Sequence, residues 1–180
     1  MKIIGFCGLP GSGKSTAIDA IKDLGKVVTM GDVIRNEAKK RNIEPTGENL
    51  GKLAKALREK AGPGVIAKKC IELIHTLTEE IIFVDGIRSH AEVSKFRNIW
   101  KFPIIAIEIS IQERFKRLHE RSRSDDPKIL EDLKERDRRE LNFGLNEVIE
   151  TADYKITNDS TIEDLQKKTK NIVLEILKHY

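Results

Sequence analysis

The sequence predicts an α/β fold, a three-layer arrangement with a five-stranded parallel sheet between helices. Three observations carry this. Five short apolar runs alternate with longer stretches of helical periodicity. Two of the runs, Ile81-Ile82-Phe83-Val84 and Ile104-Ile105-Ala106-Ile107, are apolar without interruption, as strands covered on both faces are. The first run leads at once into a glycine-rich loop that opens a helix, Gly8-Leu9-Pro10-Gly11-Ser12-Gly13-Lys14-Ser15.

The first strand is Lys2 to Cys7. The loop after it fits the phosphate-binding pattern G-x-x-x-x-G-K-[ST]. Gly8, Gly11 and Gly13 allow the backbone to fold around a phosphate chain and turn its N–H groups inward. Leu9, Pro10 and Ser12 complete the loop. The helix that follows, Ser15 to Leu24, sets Ile18 and Ile21 on one face. Its N-terminus adds partial positive charge. Lys14 is expected to reach the β- and γ-phosphates and Ser15 to ligate Mg²⁺, with Thr16 behind them in the nucleotide-binding set. The pattern therefore calls for a nucleoside triphosphate, ATP in the first instance, and Mg²⁺. Its alternative, a glycine-rich turn that binds nothing, does not account for the strand–loop–helix setting.

The second strand is Val27 to Met30. The crossover from Gly31 to Glu80 is longer than a parallel connection needs. It holds helical stretches at Val33 to Arg41, Glu48 to Lys60 and Val65 to Thr78, with Gly62-Pro63-Gly64 breaking the last two. The segment of about 33–78 reads as a helical insert over the carboxyl edge of the sheet, where ligands bind in open α/β folds. At its start, in Gly31-Asp32-Val33-Ile34-Arg35, Asp32 is placed to face the metal or to take a proton from an acceptor hydroxyl. Arg35 lies one turn on, suited to an acceptor phosphate. The alternative gives Asp32 to a helix cap and Arg35 to the surface.

The third strand, Ile81 to Asp85, ends on a carboxylate at the strand tip, the second element a phosphate-loop protein needs near Mg²⁺. Gly86-Ile87-Arg88 follows, and holds Arg88 close to the phosphates. The fourth strand, Pro103 to Ile109, is followed by a helix from Gln112 to Arg121. Arg114, Lys116, Arg117, Arg121 and Arg123 form a basic run, with Arg114, Arg117 and Arg121 on one helical face. Such cations stabilise charge on a transferring phosphoryl group; the alternative reading is a solvated helix face. Arg136, Asp137 and Arg139 are candidates to extend the run. The turn Arg123 to Pro127 offers Asp126 as an N-cap and Pro127 as a first helical residue. A helix then runs to about Glu150, with Leu130, Leu133, Leu141, Leu145 and Val148 on one stripe, interrupted by Asp137 and bent at Gly144. A strand at Tyr154 to Thr157 precedes a final helix, Ile162 to Leu177, with Ile162, Leu165, Ile172 and Ile176 on its apolar face.

With 180 residues the chain makes one domain, 1–180, with a core of useful size. About a third of the residues are charged and no apolar stretch approaches membrane-spanning length. The N-terminus enters the first strand directly, which leaves no room for a secretory signal. Cys7 and Cys70 lack metal-ligand or redox spacing and read as reduced core thiols of a cytoplasmic protein. The four histidines form neither a ligand set nor a triad. The net charge is +4, and acids and bases alternate along most of the chain, so a nucleic-acid face is not favoured.

These residues resemble the nucleoside-monophosphate kinase group of P-loop proteins. Gly31-Asp32-x-x-Arg35 is similar to the acceptor-site segment of adenylate kinases, Asp85-Gly86-Ile87-Arg88 to their D-G-F-P-R segment, and Arg123-Ser124-Asp125-Asp126 to their R-x-D-D segment. Ala152-Asp153-Tyr154-Lys155-Ile156-Thr157-Asn158 resembles the ending of dephospho-coenzyme A kinases. As a set, G-L-P-G-S-G-K-S, G-D-V-I-R, D-G-I-R and R-S-D-D-P resemble an archaeal family of adenylate-kinase-related P-loop proteins. The resemblance implies strand order 2-3-1-4-5. It also implies a kinase acting on a phosphorylated or nucleotide-like small acceptor. Lys14 and Arg117 would hold ATP, Ser15 and Asp85 would hold Mg²⁺, and Asp32, Arg35 and Arg88 would meet the acceptor. Arg121 and Arg123 would close over the transferring group. Two departures stand out: the lid, about 117–127, is minimal, and the proline of D-G-F-P-R is missing. The other class of reading is an ATP-hydrolysing switch acting on a protein or RNA partner.

Overall fold

The computed structural model describes residues 1–121 and 127–180; the side chain of Arg121 and residues 122–126, with Arg123 and Asp126, lie outside the described residues. The strands are β1 (Lys2–Cys7), β2 (Lys26–Thr29), β3 (Ile81–Asp85), β4 (Ile104–Glu108) and β5 (Tyr154–Thr157). All pair in parallel, in the order β2-β3-β1-β4-β5. The helices are α1 (Lys14–Asp19), α2 (Met30–Lys40), α3 (Gly47–Ala61), α4 (Val65–Ile74) and α5 (His90–Arg97). They continue with α6 (Ile111–Arg121), α7 (Leu130–Asn142), α8 (Leu145–Glu150) and α9 (Ile162–Lys178).

Alternation along the central strands builds two cores. Ile3, Cys7, Ile82, Val84, Ile104 and Ala106 face one side, where α2, α3, α4, α5 and α8 cover them. Ile4, Phe6, Phe83, Ile105 and Ile107 face the other, under α1 and α9. Both faces of the central strands are therefore dry, which explains their unbroken apolar runs. Phe6 and Phe83 meet edge to face across β1 and β3, with ring centroids 6.1 Å apart. Among the described residues no helix is long and apolar enough to cross a membrane.

Several boundaries differ from the sequence reading, each for a physical reason. Strand β2 ends at Thr29, and Met30 and Gly31 already belong to α2, whose cap residue is Thr29. Asp32 therefore lies in the first turn of a helix, not before it. Helix α1 stops at Asp19, and Ile21 reaches the core from the turn that follows. Helix α4 ends at Ile74, short of Thr78. Pro127 is not helical, and α7 begins at Leu130 with Ile129 as its cap. The single helix expected up to Glu150 is two, because Gly144 takes φ 95°, a conformation that ends α7 and starts α8. On α9 the buried positions are Leu165, Thr169, Val173 and Ile176, while Ile162 is 61 % exposed.

Candidate functional site

In a parallel sheet all carboxyl ends reach one edge, and the phosphate loop after β1, the start of α2 after β2 and the segment of Gly86 to Arg88 after β3 leave from it. Strand β1 delivers the loop Gly8 to Ser15. Gly8, Gly11 and Gly13 have φ values of 146°, 80° and 99°. At Gly13 a side chain would also overlap the Asn158 amide. Lys14 is the first residue of α1, and its Nζ donates to the Gly8 carbonyl at 2.9 Å, folding the ammonium back over the loop. Burial lowers the Lys14 pKa, and the Asp85 carboxylate works against that shift. A cavity of about 400 Å³ opens here, lined by Gly11, Ser12, Gly13, Lys14, Ser15 and Thr16 and closed by Arg117, Leu118, Glu120, Asn158, Ile162 and Leu165.

Asp85 stands beside Thr29 of β2 and Phe6 of β1 in the strand register. Its Oδ1 is buried without a hydrogen-bond partner. Burial raises the Asp85 pKa, Lys14 and Arg88 pull it down, and Asp32 pushes it up. These causes place Lys14, Arg88 and Asp32 within electrostatic reach of one carboxylate. Mg²⁺ fits this set: it takes one or two protein oxygens and fills its shell with water and phosphate oxygens. The partnerless Asp85 oxygen suits that role, with the Ser15 hydroxyl at the start of α1. No group of three or more His, Cys, Asp or Glu among the described residues could hold a metal by itself.

On the other side of Asp85, Asp32 and Arg35 pair with each other, Arg35 Nε donating to Asp32 Oδ1 at 2.8 Å, and both are exposed. Arg88 makes an ion pair with Glu140 of α7 at 3.4 Å. Its backbone N–H donates to Glu92 Oε2 at 2.8 Å, while Glu92, fully buried, also accepts from Arg58 of α3 at 3.0 Å.

The basic run does not act as one surface. Arg114 is 3 % exposed, turned inward, with its guanidinium on both oxygens of Asp137 and on the Pro10 carbonyl. That Arg–Asp pair also explains why Asp137 interrupts the apolar stripe of α7. Arg117 lines the cavity and donates to the Asn158 carbonyl at 3.2 Å. Asn158 had no assigned role in the sequence reading. It follows β5, its N–H donates to Glu108 O at 2.8 Å, and its Nδ2 donates to Ser12 O at 2.8 Å. An asparagine directly after a strand that ends at the phosphate edge is the signal that marks it.

Residues 7–134 match the family model described as an AAA domain. The chain is 48 % identical to a UPF0200/UPF0201 protein of Archaeoglobus fulgidus, over 99 % of this chain and 57 % of that one. It thus spans little more than half the length of that relative. It is 41 % identical to a UPF0200 protein of Methanosarcina mazei, over 98 % of this chain and 96 % of that one. Among solved structures, TT1252 from Thermus thermophilus superposes with a TM-score of 0.65 at 21 % identity, covering 97 % of each chain. The shikimate kinase of Acinetobacter baumannii in complex with shikimate superposes with a TM-score of 0.60 at 14 % identity, over 99 % of this chain and 94 % of that one. At those identities the likeness is one of fold. Identity across nearly the whole length shows that the chain belongs to the UPF0200 family, whose P-loop stands here on the parallel sheet of a P-loop kinase-like fold.

Proposed function

We propose that the chain is a Mg²⁺-dependent phosphotransferase that moves the γ-phosphoryl group of ATP to a small phosphorylated or nucleotide-like acceptor. The observation that carries this is what meets at the Asp85 strand end: the phosphate loop leaves β1 on one side, α2 with Asp32 and Arg35 follows β2 on the other, and Arg88 comes three residues on in the chain. A plain ATPase has no use for a cation on that second side, where Arg35 pairs with Asp32. Gly11 to Thr16, with Arg117, hold the triphosphate. Lys14 leaves Gly8 O to meet the β- and γ-phosphates. Ser15 and Asp85 would hold Mg²⁺, which when bound would neutralise phosphate charge. Arg88 and Arg35 give up their carboxylate partners to bind the acceptor phosphate, two fork-shaped donors suited to that anion. The bond from the γ-phosphorus to the β–γ bridging oxygen breaks, and one to the acceptor oxygen forms. Asp32 takes the proton where that oxygen is a hydroxyl. Arg121 and Arg123 are assigned to the transferring group from their sequence positions. The two free, buried cysteines, whose thiols burial pushes up to about 12, support a cytoplasmic setting.

A second reading, an ATP-hydrolysing switch with a protein or RNA partner, draws on the short lid, since few residues separate Arg121 from Asp125 and water exclusion protects a transferring phosphoryl. One assay separates the two: ADP formation with AMP, dephospho-coenzyme A and other monophosphates as acceptors. A phosphotransferase forms ADP only with its acceptor, and Arg35→Ala or Arg88→Ala raises the acceptor KM. ADP formation that no acceptor changes, equal in both variants, overturns the phosphotransferase reading.

A further inference from the structure

Helix α7 and its cap meet three arginines from different parts of the chain, at positions three residues apart. Asp137 takes Arg114 of α6, Glu140 takes Arg88 after β3, and Phe143, the cap of α7, lies under the Arg58 guanidinium of α3 at 5.0 Å from its ring centroid. The buried residues of α7 are Leu133 and Asp137. Polar contacts therefore carry much of its attachment, and the Asp137 pair is the most buried of them.

The first contact reaches the phosphate loop itself. Arg114 Nη1 donates to Pro10 O at 3.1 Å and to Asp137 Oδ1 at 2.8 Å, while Nη2 takes the other carboxylate oxygen. Two bonds to one carboxylate fix the plane of the guanidinium, so its third bond has a set direction. No peptide bond in the described residues is cis. In a trans peptide plane the C=O and the next N–H point opposite ways. Pinning Pro10 O on the α6 side therefore aims the Gly11 N–H away from Arg114. Gly11 lines the cavity.

We infer that Asp137 is a positioning residue for the triphosphate: through Arg114 it holds the Pro10–Gly11 peptide with its N–H presented to the phosphate cavity. The inference rests on the reading that this loop binds ATP. It makes α7 part of the nucleotide site, although the helix supplies no residue to the cavity lining.

The test is calorimetric titration of Mg-ATP into the wild type and Asp137→Asn, with the melting temperature of each measured alone. Asparagine keeps the size but cannot hold the guanidinium from two charged oxygens. Weakening of Mg-ATP binding by about ten-fold or more is expected, the equivalent of one charge-assisted hydrogen bond. If Asp137 serves stability alone, melting falls and the dissociation constant stays within about two-fold of wild type; that result overturns the inference. Should Asp137→Asn fail to fold, hydrogen exchange on the unaltered protein decides. Mg-ATP should slow exchange at the α7 amides around Asp137 together with those of the phosphate loop. Slowing in the loop with no change in α7 overturns the inference. A wild type that does not bind Mg-ATP overturns the ATP reading, and the inference with it.

Discussion

Replacing Asp85 by asparagine sets the stability of the free protein against its function. The carboxylate is buried, its Oδ1 has no donor, and burial outweighs the pull of Lys14 and Arg88, so its pKa in the folded state lies above the ordinary 3.8. The sign follows. The folded protein binds the proton more tightly than the unfolded chain does, so the contribution to stability is full below pH 3.8. It is lost as pH rises through the folded-state value, and at neutral pH the ionised group is a net cost. A buried unsatisfied acceptor costs roughly 1–3 kcal/mol. Asparagine removes the charge but not every unmet hydrogen bond, so about 1 kcal/mol should return, a rise of about 2–4 °C in melting temperature for a domain of this size. The difference between variant and wild type should be nil in acid and grow upward from about pH 4. With Mg-ATP the order reverses. A ligand at a hundred times its dissociation constant stabilises by about 2.7 kcal/mol, and the variant, unable to hold the metal, should lose most of this. Thermal unfolding from pH 4 to 8, with and without Mg-ATP, tests both halves. A variant that melts below the wild type at pH 7 without nucleotide, yet gains as much from Mg-ATP, refutes the reasoning.

Three further outcomes are expected. Lys14→Ala should lower Mg-ATP affinity at least ten-fold and abolish turnover while circular dichroism stays unchanged, because the side-chain hydrogen bond it gives up in the free protein goes to one carbonyl, Gly8 O. Gly13→Ala should lower stability by about 1–2 kcal/mol for the positive φ alone, more with the overlap on Asn158, measured by urea unfolding. Glu140→Gln frees Arg88 from its partner and should tighten acceptor binding a few-fold at constant Mg-ATP affinity; a KM for the acceptor that does not fall would show that the pair does not compete with phosphate.

The strands were legible almost to the residue, because both faces of the sheet are covered and the apolar runs β1, β3 and β4 have sharp ends. The phosphate loop was legible because its glycines and Lys14 are local requirements. Positions set by tertiary contact were harder. Arg114 shares a helical face with Arg117 by spacing, yet one is buried and the other lines the cavity, and only Asp137, distant in sequence, decides between them. The interruption of the α7 stripe by Asp137 was visible, but its meaning required a partner. Thr29 as the cap of α2 was hidden for a similar reason: Met30 is buried and apolar, and reads as strand until the helix is seen to start there.

The chain has one tryptophan, Trp100, and its ring lies against that of His75, centroids 5.2 Å apart. It precedes β4, so it sits at the amino edge of the sheet, the far side from the phosphate loop. Its emission is therefore a reporter with a built-in blank. Nucleotide entering the cavity has no direct route to quench it, and a simple binding event should leave the spectrum as it was. A change in intensity on adding Mg-ATP would register a rearrangement that has crossed the whole sheet, and would measure how far the occupied edge speaks to the other.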